Sequence, residues 1–190
     1  MNTKSSLRKY FFLRRKKKYF EVTIDYFKPI ILLIKKLFKN KLIYLSIYYP
    51  SNYEVNTIKL LQLLKDKKKI ISLLPVVSKN NNLEFSKWSY LDILKVNKYG
   101  MLEPIVNKNN FLPHIMLIPL LAFDSNNHRL GYGKGYYDKF LNKYLKRNKN
   151  IVTIGVAFSF QKYNKLPITK NDVELDYILN NGGMTKKWIF

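Results

Sequence analysis

The chain has 190 residues, 47% of them hydrophobic, and its 35 Lys and Arg against 12 Asp and Glu give a formal charge of +23. That apolar share excludes a disordered tail, and the length fits a single domain over residues 1–190 with one large core. With no cysteine, and only His114 and His128 as histidines, disulfides, thiol nucleophiles and zinc sites built on Cys or His are excluded, so any metal must be held by oxygens.

Residues 4–20 place Leu7, Tyr10, Phe11 and Leu13 between basic residues at a spacing that predicts an amphipathic helix, with Ser5 and Ser6 available to cap it. The same stretch lacks the uninterrupted apolar segment of a secretory leader, and no apolar run approaches the roughly 18 residues needed to span a bilayer. A cytoplasmic protein without membrane contact is expected. A second helix is predicted over 29–38 with Asn40 ending it, and the β-branched and aromatic residues of 42–49 predict a buried strand stopped by Pro50. Residues 55–64 return to helical spacing, 69–74 read as a second buried strand closed by Pro75, and 83–88 as a shorter one. Residues 89–111 are mixed. A strong strand follows over 115–121, then a segment rich in Gly, Asn and Asp over 124–135, a helix over 136–147 and a strand over 151–158. Alternation of strands and helices predicts an α/β fold: a mostly parallel sheet with flanking helices, whose ligands sit at the carboxyl ends of the strands. Trp88 and Trp188 read as packing residues.

The positive balance fits nucleic acid, an anionic membrane surface or a polyanionic small substrate. It also fits AT-rich coding, since Lys, Asn, Ile and Tyr are all plentiful and the lysines are spread along the chain.

The segment Arg129-Leu130-Gly131-Tyr132-Gly133-Lys134-Gly135-Tyr136-Tyr137-Asp138 sets three glycines at alternate positions, after Arg129 and around Lys134. Missing side chains let a backbone come close to a ligand. Exposed amides, the start of the next helix and two cationic groups all favour an anion, and phosphate is the natural guest. The spacing matches neither the dinucleotide fingerprint nor the common NTPase loop, and a glycine-rich turn also occurs as a plain strand-to-helix connection.

Read with Pro119-Leu-Leu-Ala-Phe123-Asp124 before it, this segment resembles the 5-formyltetrahydrofolate cyclo-ligase (methenyltetrahydrofolate synthetase) family, whose hallmark is Phe-Asp, a spacer, Arg-Leu-Gly-x-Gly-x-Gly-Tyr-Tyr-Asp and an apolar helix. The likeness extends to Lys4 with Arg8, Glu54-Val-Asn-Thr57, Glu103-Pro104, Leu166-Pro167 and Asn171-Asp172-Val173. Leu120, His114 and Asn171 stand where relatives often have Gly, Asp and His.

The resemblance implies a three-layer α/β fold related to those of sugar-phosphate isomerases and CoA transferases, and ATP-dependent closure of 5-formyltetrahydrofolate to 5,10-methenyltetrahydrofolate with release of ADP and phosphate. It implies nucleotide binding by Lys4, Ser5, Ser6, Leu7 and Arg8 and by the loop from Arg129 to Tyr137. It implies folate contacts from Arg8, Tyr49, Glu54, Tyr132, Gly133, Lys134, Gly135 and Tyr136, catalysis by Lys134, and Mg2+ held by Asp138 and Asp172. A monomer is expected, with 5-formyltetrahydrofolate and ATP as partners and no nucleic acid. The residues leave other readings open. Lys134 also fits a solvated loop lysine, Glu54 and Asp138 fit helix N-termini, Asp172 fits a turn, and Lys4 and Arg8 fit an exposed basic helix. Asp124 fits the ordering of the turn before Arg129, and His128 alone is no argument for acid–base catalysis. Two rival functions remain: an RNA- or ribosome-binding protein, suggested by the aromatic and basic residues of 10–20, and another phosphate-substrate enzyme on a related fold.

Overall fold

Apolar runs that are read as strands must find cover on both faces, and the sheet supplies it. The structure, a computed structural model, describes residues 3–105, 110–145 and 150–187. In chain order its elements begin with the helices α1 (Lys4–Lys18) and α2 (Lys28–Phe38), then β1 (Ile43–Ser46), α3 (Leu60–Leu64), β2 (Ile70–Val77) and β3 (Leu83–Lys87). The short strands β4 (Leu94–Val96) and β5 (Leu102–Pro104) precede β6 (Ile115–Pro119), β7 (Ala122–Phe123) and β8 (Arg129–Leu130). Helix α4 (Tyr136–Leu145), β9 (Val152–Val156), β10 (Tyr177–Asn180) and β11 (Gly183–Lys186) complete the set.

Seven strands form one sheet in the order β11-β10-β9-β6-β1-β2-β3. The five inner strands run parallel, and the outer β3 and β11 pair antiparallel with their neighbours. Register follows the pleat, as Leu45 opposite Ile115 and Leu117 opposite Ile154 show. On β6, Ile115 and Leu117 enter the core under α2 and α3, while Met116 and Ile118 enter the core under α4. Helices therefore cover both faces, which gives the three layers and the parallel sheet expected from the sequence. Gly155 of β9 is what lets the α4 side close, since a Cβ there would come within 2.7 Å of Ile178 and 2.8 Å of Leu120 and Leu175.

Three local expectations are corrected. The cap of α1 is Thr3, whose Oγ1 accepts the Ser6 N–H at 3.2 Å, and Ser6 Oγ instead donates to the Thr3 carbonyl, so neither Ser5 nor Ser6 caps the helix. The buried stripe of α1 is Leu7, Phe11 and Arg15, at intervals of four, whereas Tyr10 and Leu13 are exposed. Pro75 does not close β2, which runs on to Val77. Past Leu73 the strand pairs with β3 alone, and Pro75 faces Phe85, whose N–H and C=O bond to Asn110 and Phe111 instead, so the missing proline N–H breaks no ladder bond.

A third apolar cluster joins Leu7 and Phe11 of α1 to Leu121, Ala122 and Leu130 of the β7–β8 hairpin and to Leu166. Burying Leu7 and Phe11 there contributes about 2 kcal/mol each. This contact fixes α1 across the carboxyl end of β6. Among the described residues no helix is long and apolar enough to cross a membrane. Trp88 is buried and its indole N–H bonds the Asp92 carbonyl at 3.2 Å, while Trp188 and the end of the helix predicted to reach 147 lie outside the described residues.

Candidate active site

At the carboxyl ends of β1, β2 and β6, marked by Tyr49, Val77 and Pro119, a cavity of about 590 Å³ opens between α1, the loop after β8 and the β4–β5 hairpin. A wider and shallower hollow of about 1010 Å³ beside α3 is lined by Trp88 and Asn56 and by none of the residues expected to bind nucleotide, folate or metal. The smaller cavity collects nearly all of them.

The loop between β8 and α4 supplies one wall. Gly133 (φ +102°) and Gly135 (φ +69°) flank Lys134 in a backbone region that side-chain-bearing residues rarely adopt. Gly133 also lies against Arg8 of α1, so that a Cβ would stand 3.2 Å from the guanidinium carbon. Arg8 Nε donates to the Gly131 carbonyl at 2.9 Å and ties helix to loop. Lys134 is exposed, with its ammonium 5.5 Å from the centre of the Tyr99 ring, and the Tyr99 and Tyr136 hydroxyls lie 2.5 Å apart. The hydrogen bond to Tyr136, aided by nearby Lys98 and Lys134, lowers the Tyr99 hydroxyl from its ordinary value.

Carboxylates of the same wall carry cationic partners. Asp138 Oδ1 accepts Arg129 Nη2 at 2.7 Å and the Val173 N–H at 3.2 Å, and Arg129 also donates to the Val173 carbonyl at 3.0 Å. Arg129 thus anchors the first turn of α4, and the charge expected of it is shared with Asp138. Asp172 Oδ2 accepts Lys4 Nζ at 2.5 Å and the Thr169 amide and hydroxyl at 2.6 and 3.0 Å. Burial alone would raise the Asp172 carboxyl, but Lys4 and Thr169 outweigh it and hold the group below its ordinary value. Among the described residues the hydrogen bonds of Asp138 fall on Oδ1 and those of Asp172 on Oδ2. The second oxygen of each would suit a hard cation, the donor type that magnesium takes beside phosphate oxygens. Among the described residues no group of three or more Asp, Glu and His side chains is arranged to hold a metal ion by itself.

The opposite wall holds Tyr49 and Glu54. The turn before Glu54 passes through Asn52 and Tyr53, both at positive φ, and brings the carboxylate back toward the loop. Glu54 Oε2 accepts the Ser51 N–H at 2.9 Å, and Oε1 accepts the Tyr132 hydroxyl at 2.6 Å. Burial raises the Glu54 carboxyl, against the pull of Arg15, Tyr132 and Ser51. Tyr132 is 40% accessible as a residue, yet its hydroxyl is engaged by Arg15 and Glu54, and burial raises it well above the phenol range. Tyr49 sits edge-on to Trp88 at 6.3 Å.

Of the predicted residues, Lys4, Arg8, Tyr49, Glu54, Asp172 and the whole segment from Arg129 to Asp138 line this one cavity. Ser5, Ser6 and Leu7 do not: Leu7 is buried in the α1 core cluster, and Ser6 is engaged with Thr3. His128 bridges Asp124 at 3.2 Å and Glu174 at 3.1 Å, and Asp124 Oδ1 receives the Asn126 and His128 amides, so this pair orders the turn before Arg129. His114, whose ring nitrogen accepts the Tyr44 N–H at 3.0 Å, ties the start of β1 to the segment entering β6.

Sequence reasoning missed Arg15, Tyr48 and the hairpin residues Asn97 and Tyr99, and had Glu103 only within the Glu103-Pro104 likeness, with no role at the site. Arg15 was legible in principle, since it continues the Leu7, Phe11 interval of four inside a run of basic residues. The hairpin carried no such signal. Glu103, buried, receives Asn97 Nδ2 at 3.1 Å and the Val77 N–H at 3.3 Å and pins the hairpin to β2.

Comparison with known proteins adds an independent line. A model of the 5-formyltetrahydrofolate cyclo-ligase family matches residues 1–181. The 5-formyltetrahydrofolate cyclo-ligase of Haemophilus influenzae is 33% identical over 141 residues, 71% of this chain and 74% of that protein. The corresponding protein of Mycoplasma genitalium is 37% identical over 108 residues, 50% of this chain and 63% of its own length. Among solved structures, the 5,10-methenyltetrahydrofolate synthetase of Aquifex aeolicus superposes with a TM-score of 0.72 at 26% identity, covering 98% of this chain and 94% of its own. That of Mycoplasma pneumoniae gives 0.63 at 28% identity, covering 93% and 97%.

Proposed function

The chain belongs to the 5-formyltetrahydrofolate cyclo-ligase family, and from that premise we propose how its own residues convert 5-formyltetrahydrofolate to 5,10-methenyltetrahydrofolate with ATP. The observation that carries the reading is that the glycine loop with Lys134, the α1 pair Lys4 and Arg8, and the Glu54–Tyr49 wall all face one cavity. A phosphate cradle and a carboxylate suited to ring N–H donors thus stand opposite each other.

Ring closure requires N10 to attack a formamide carbon and the formyl oxygen to depart, and an amide oxygen is a poor leaving group. Transfer of the γ-phosphoryl to that oxygen gives an iminium phosphate, from which phosphate leaves as N10 closes the ring. The protein's part is positioning and charge stabilisation. The loop amides between Gly131 and Tyr137 and the start of α4 hold the nucleotide phosphates, with Arg8 closing over them from α1. Lys134 stands where its ammonium reaches both the γ-phosphoryl and the formyl oxygen and stabilises charge shared between them. Glu54 accepts the N–H donors of the pterin, and Tyr49 packs against its apolar face. Asp138 and Asp172 would hold magnesium, which would supply positive charge to the nucleotide phosphates. A monomer in the cytoplasm is the state in which we place this reaction.

The test is a spectroscopic assay of methenyl formation from 5-formyltetrahydrofolate with ATP and magnesium each omitted in turn. Thermal protection by ATP but not by sugar phosphates supports the nucleotide assignment; the reverse pattern favours another enzyme on this kind of sheet.

A further inference from the structure

Beneath the folate wall lies a buried chain of polar groups that the reaction scheme above does not use. Arg15, 1% exposed, reaches inward from α1; one guanidinium nitrogen donates to the Leu120 carbonyl at 3.1 Å and the other to the Tyr132 hydroxyl. That hydroxyl in turn donates to Glu54 at 2.6 Å. The phenol accepts from a cation and donates to an anion, an order in which each bond polarises and strengthens the next. Arg15 Nε and the Tyr48 hydroxyl are buried beside this chain without a hydrogen-bond partner among the described residues. A buried polar group left without a partner is costly, and native proteins keep few of them, so each calls for an explanation.

We infer that Arg15 is a positioning residue of the folate wall: through the Tyr132 hydroxyl it fixes the direction and charge of the Glu54 carboxylate toward the cavity. The inference rests on the folate role proposed for Glu54. An aliphatic side chain would fill the stripe position of Leu7 and Phe11 at less cost, because a buried guanidinium contributes little to stability compared with a well-packed apolar residue. What the apolar residue would not supply is a positive charge one hydroxyl away from Glu54. The groups that face this carboxylate are Arg15 from α1, Tyr48 from the end of β1, Tyr132 and Tyr137 from the glycine loop and the start of α4, and Ser51 from its own turn. Among them Arg15 is the cation. Its removal leaves burial, which disfavours the anion, opposed by the hydrogen bonds from Tyr132 and Ser51 without any charge, so the carboxylate picks up its proton at higher pH.

The experiment measures binding of 5-formyltetrahydrofolate by fluorescence, and kcat/KM, as functions of pH for the wild type and for R15M, R15K and Y132F. R15M should move the acid limb of folate binding up by about one pH unit and weaken folate affinity about tenfold at neutral pH, with KM for ATP changed by less than about threefold. R15K, which restores the charge, should return the limb toward its wild-type position, and Y132F, which breaks the link but leaves Arg15 on Leu120, should move it in the same direction as R15M. A folded R15M whose acid limb stays in place, or which loses folate and ATP alike, overturns the inference. Should R15M fail to fold, R15Q, which keeps a polar side chain at this position without the charge, decides: a displaced limb supports the inference and an unmoved one overturns it. If the wild type binds 5-formyltetrahydrofolate without closing it while the limb still moves, the proposed reaction falls and the role of Arg15 stands.

Discussion

Arg8 lies directly against Gly133: its guanidinium carbon occupies the space a Cβ would need at 3.2 Å, while its Nε holds the Gly131 carbonyl two residues earlier. Helix α1 and the glycine loop are therefore fitted to each other at a single missing methyl group. G133A adds that methyl and also forces a side chain into φ +102°, a strain of about 1–2 kcal/mol. The expected outcome is a rise of about tenfold in KM for ATP with a smaller fall in melting temperature. An unchanged KM for ATP would show that the loop meets the nucleotide elsewhere.

Lys134 is exposed and has no carboxylate partner among the described residues, so K134A should fold as the wild type does. Its loss should lower kcat by about a hundredfold or more, since an ammonium aimed at developing phosphoryl charge acts mainly in the transition state. Full activity in K134A removes it from the chemistry.

Asp138 has two roles that D138N separates. Arg129, with its side chain 4% exposed, loses its anionic partner, and stability should fall by about 2 kcal/mol, less than for a wholly buried pair because Asp138 itself is 24% exposed. Magnesium titrations should shift to about tenfold higher metal, with the rate recovered at saturation. A destabilised D138N with an unaltered magnesium titration would leave Asp138 as an anchor for Arg129 alone.

Two carboxylates should respond to acid in opposite senses. Asp172 is held low by Lys4 and Thr169, so its contribution to stability is present above the ordinary aspartate range and is lost as pH falls through its lowered value. D172N should cost about 0.5 kcal/mol near neutrality, a small figure because the pair is partly solvated, and the difference should vanish in acid. Glu54 is raised by burial, so stability is greatest with it protonated and declines as pH rises through the raised value. E54Q should therefore melt at or above the wild type near neutrality while losing folate binding. Melting curves of both variants against pH check the two signs.

Much of the architecture could be read before folding was considered. The inner strands β1, β2, β6 and β9 are continuous apolar runs because each is covered on both faces, and such runs are conspicuous. By contrast, β11 is a short strand at the sheet edge, joined to β10 across Asn181 and Gly182, and nothing in its composition separates it from loop. The glycine loop announced itself by residue type. The closure of the site did not, because it depends on partners far apart in sequence, such as Lys4 with Asp172 and Arg8 with Gly131. Arg15 was hidden by its neighbours: within Arg14-Arg15-Lys16-Lys17-Lys18 a buried arginine has the same letters as a solvated one, and only the interval from Phe11 separates them.

The most direct measurement follows absorbance of the methenyl product when purified protein meets 5-formyltetrahydrofolate, with ATP and magnesium supplied or withheld. Product that forms only when both are present, with one ADP released per ring closed, is the predicted result. Closure that proceeds equally well without ATP, or no closure by protein that has bound both ligands, would contradict the account.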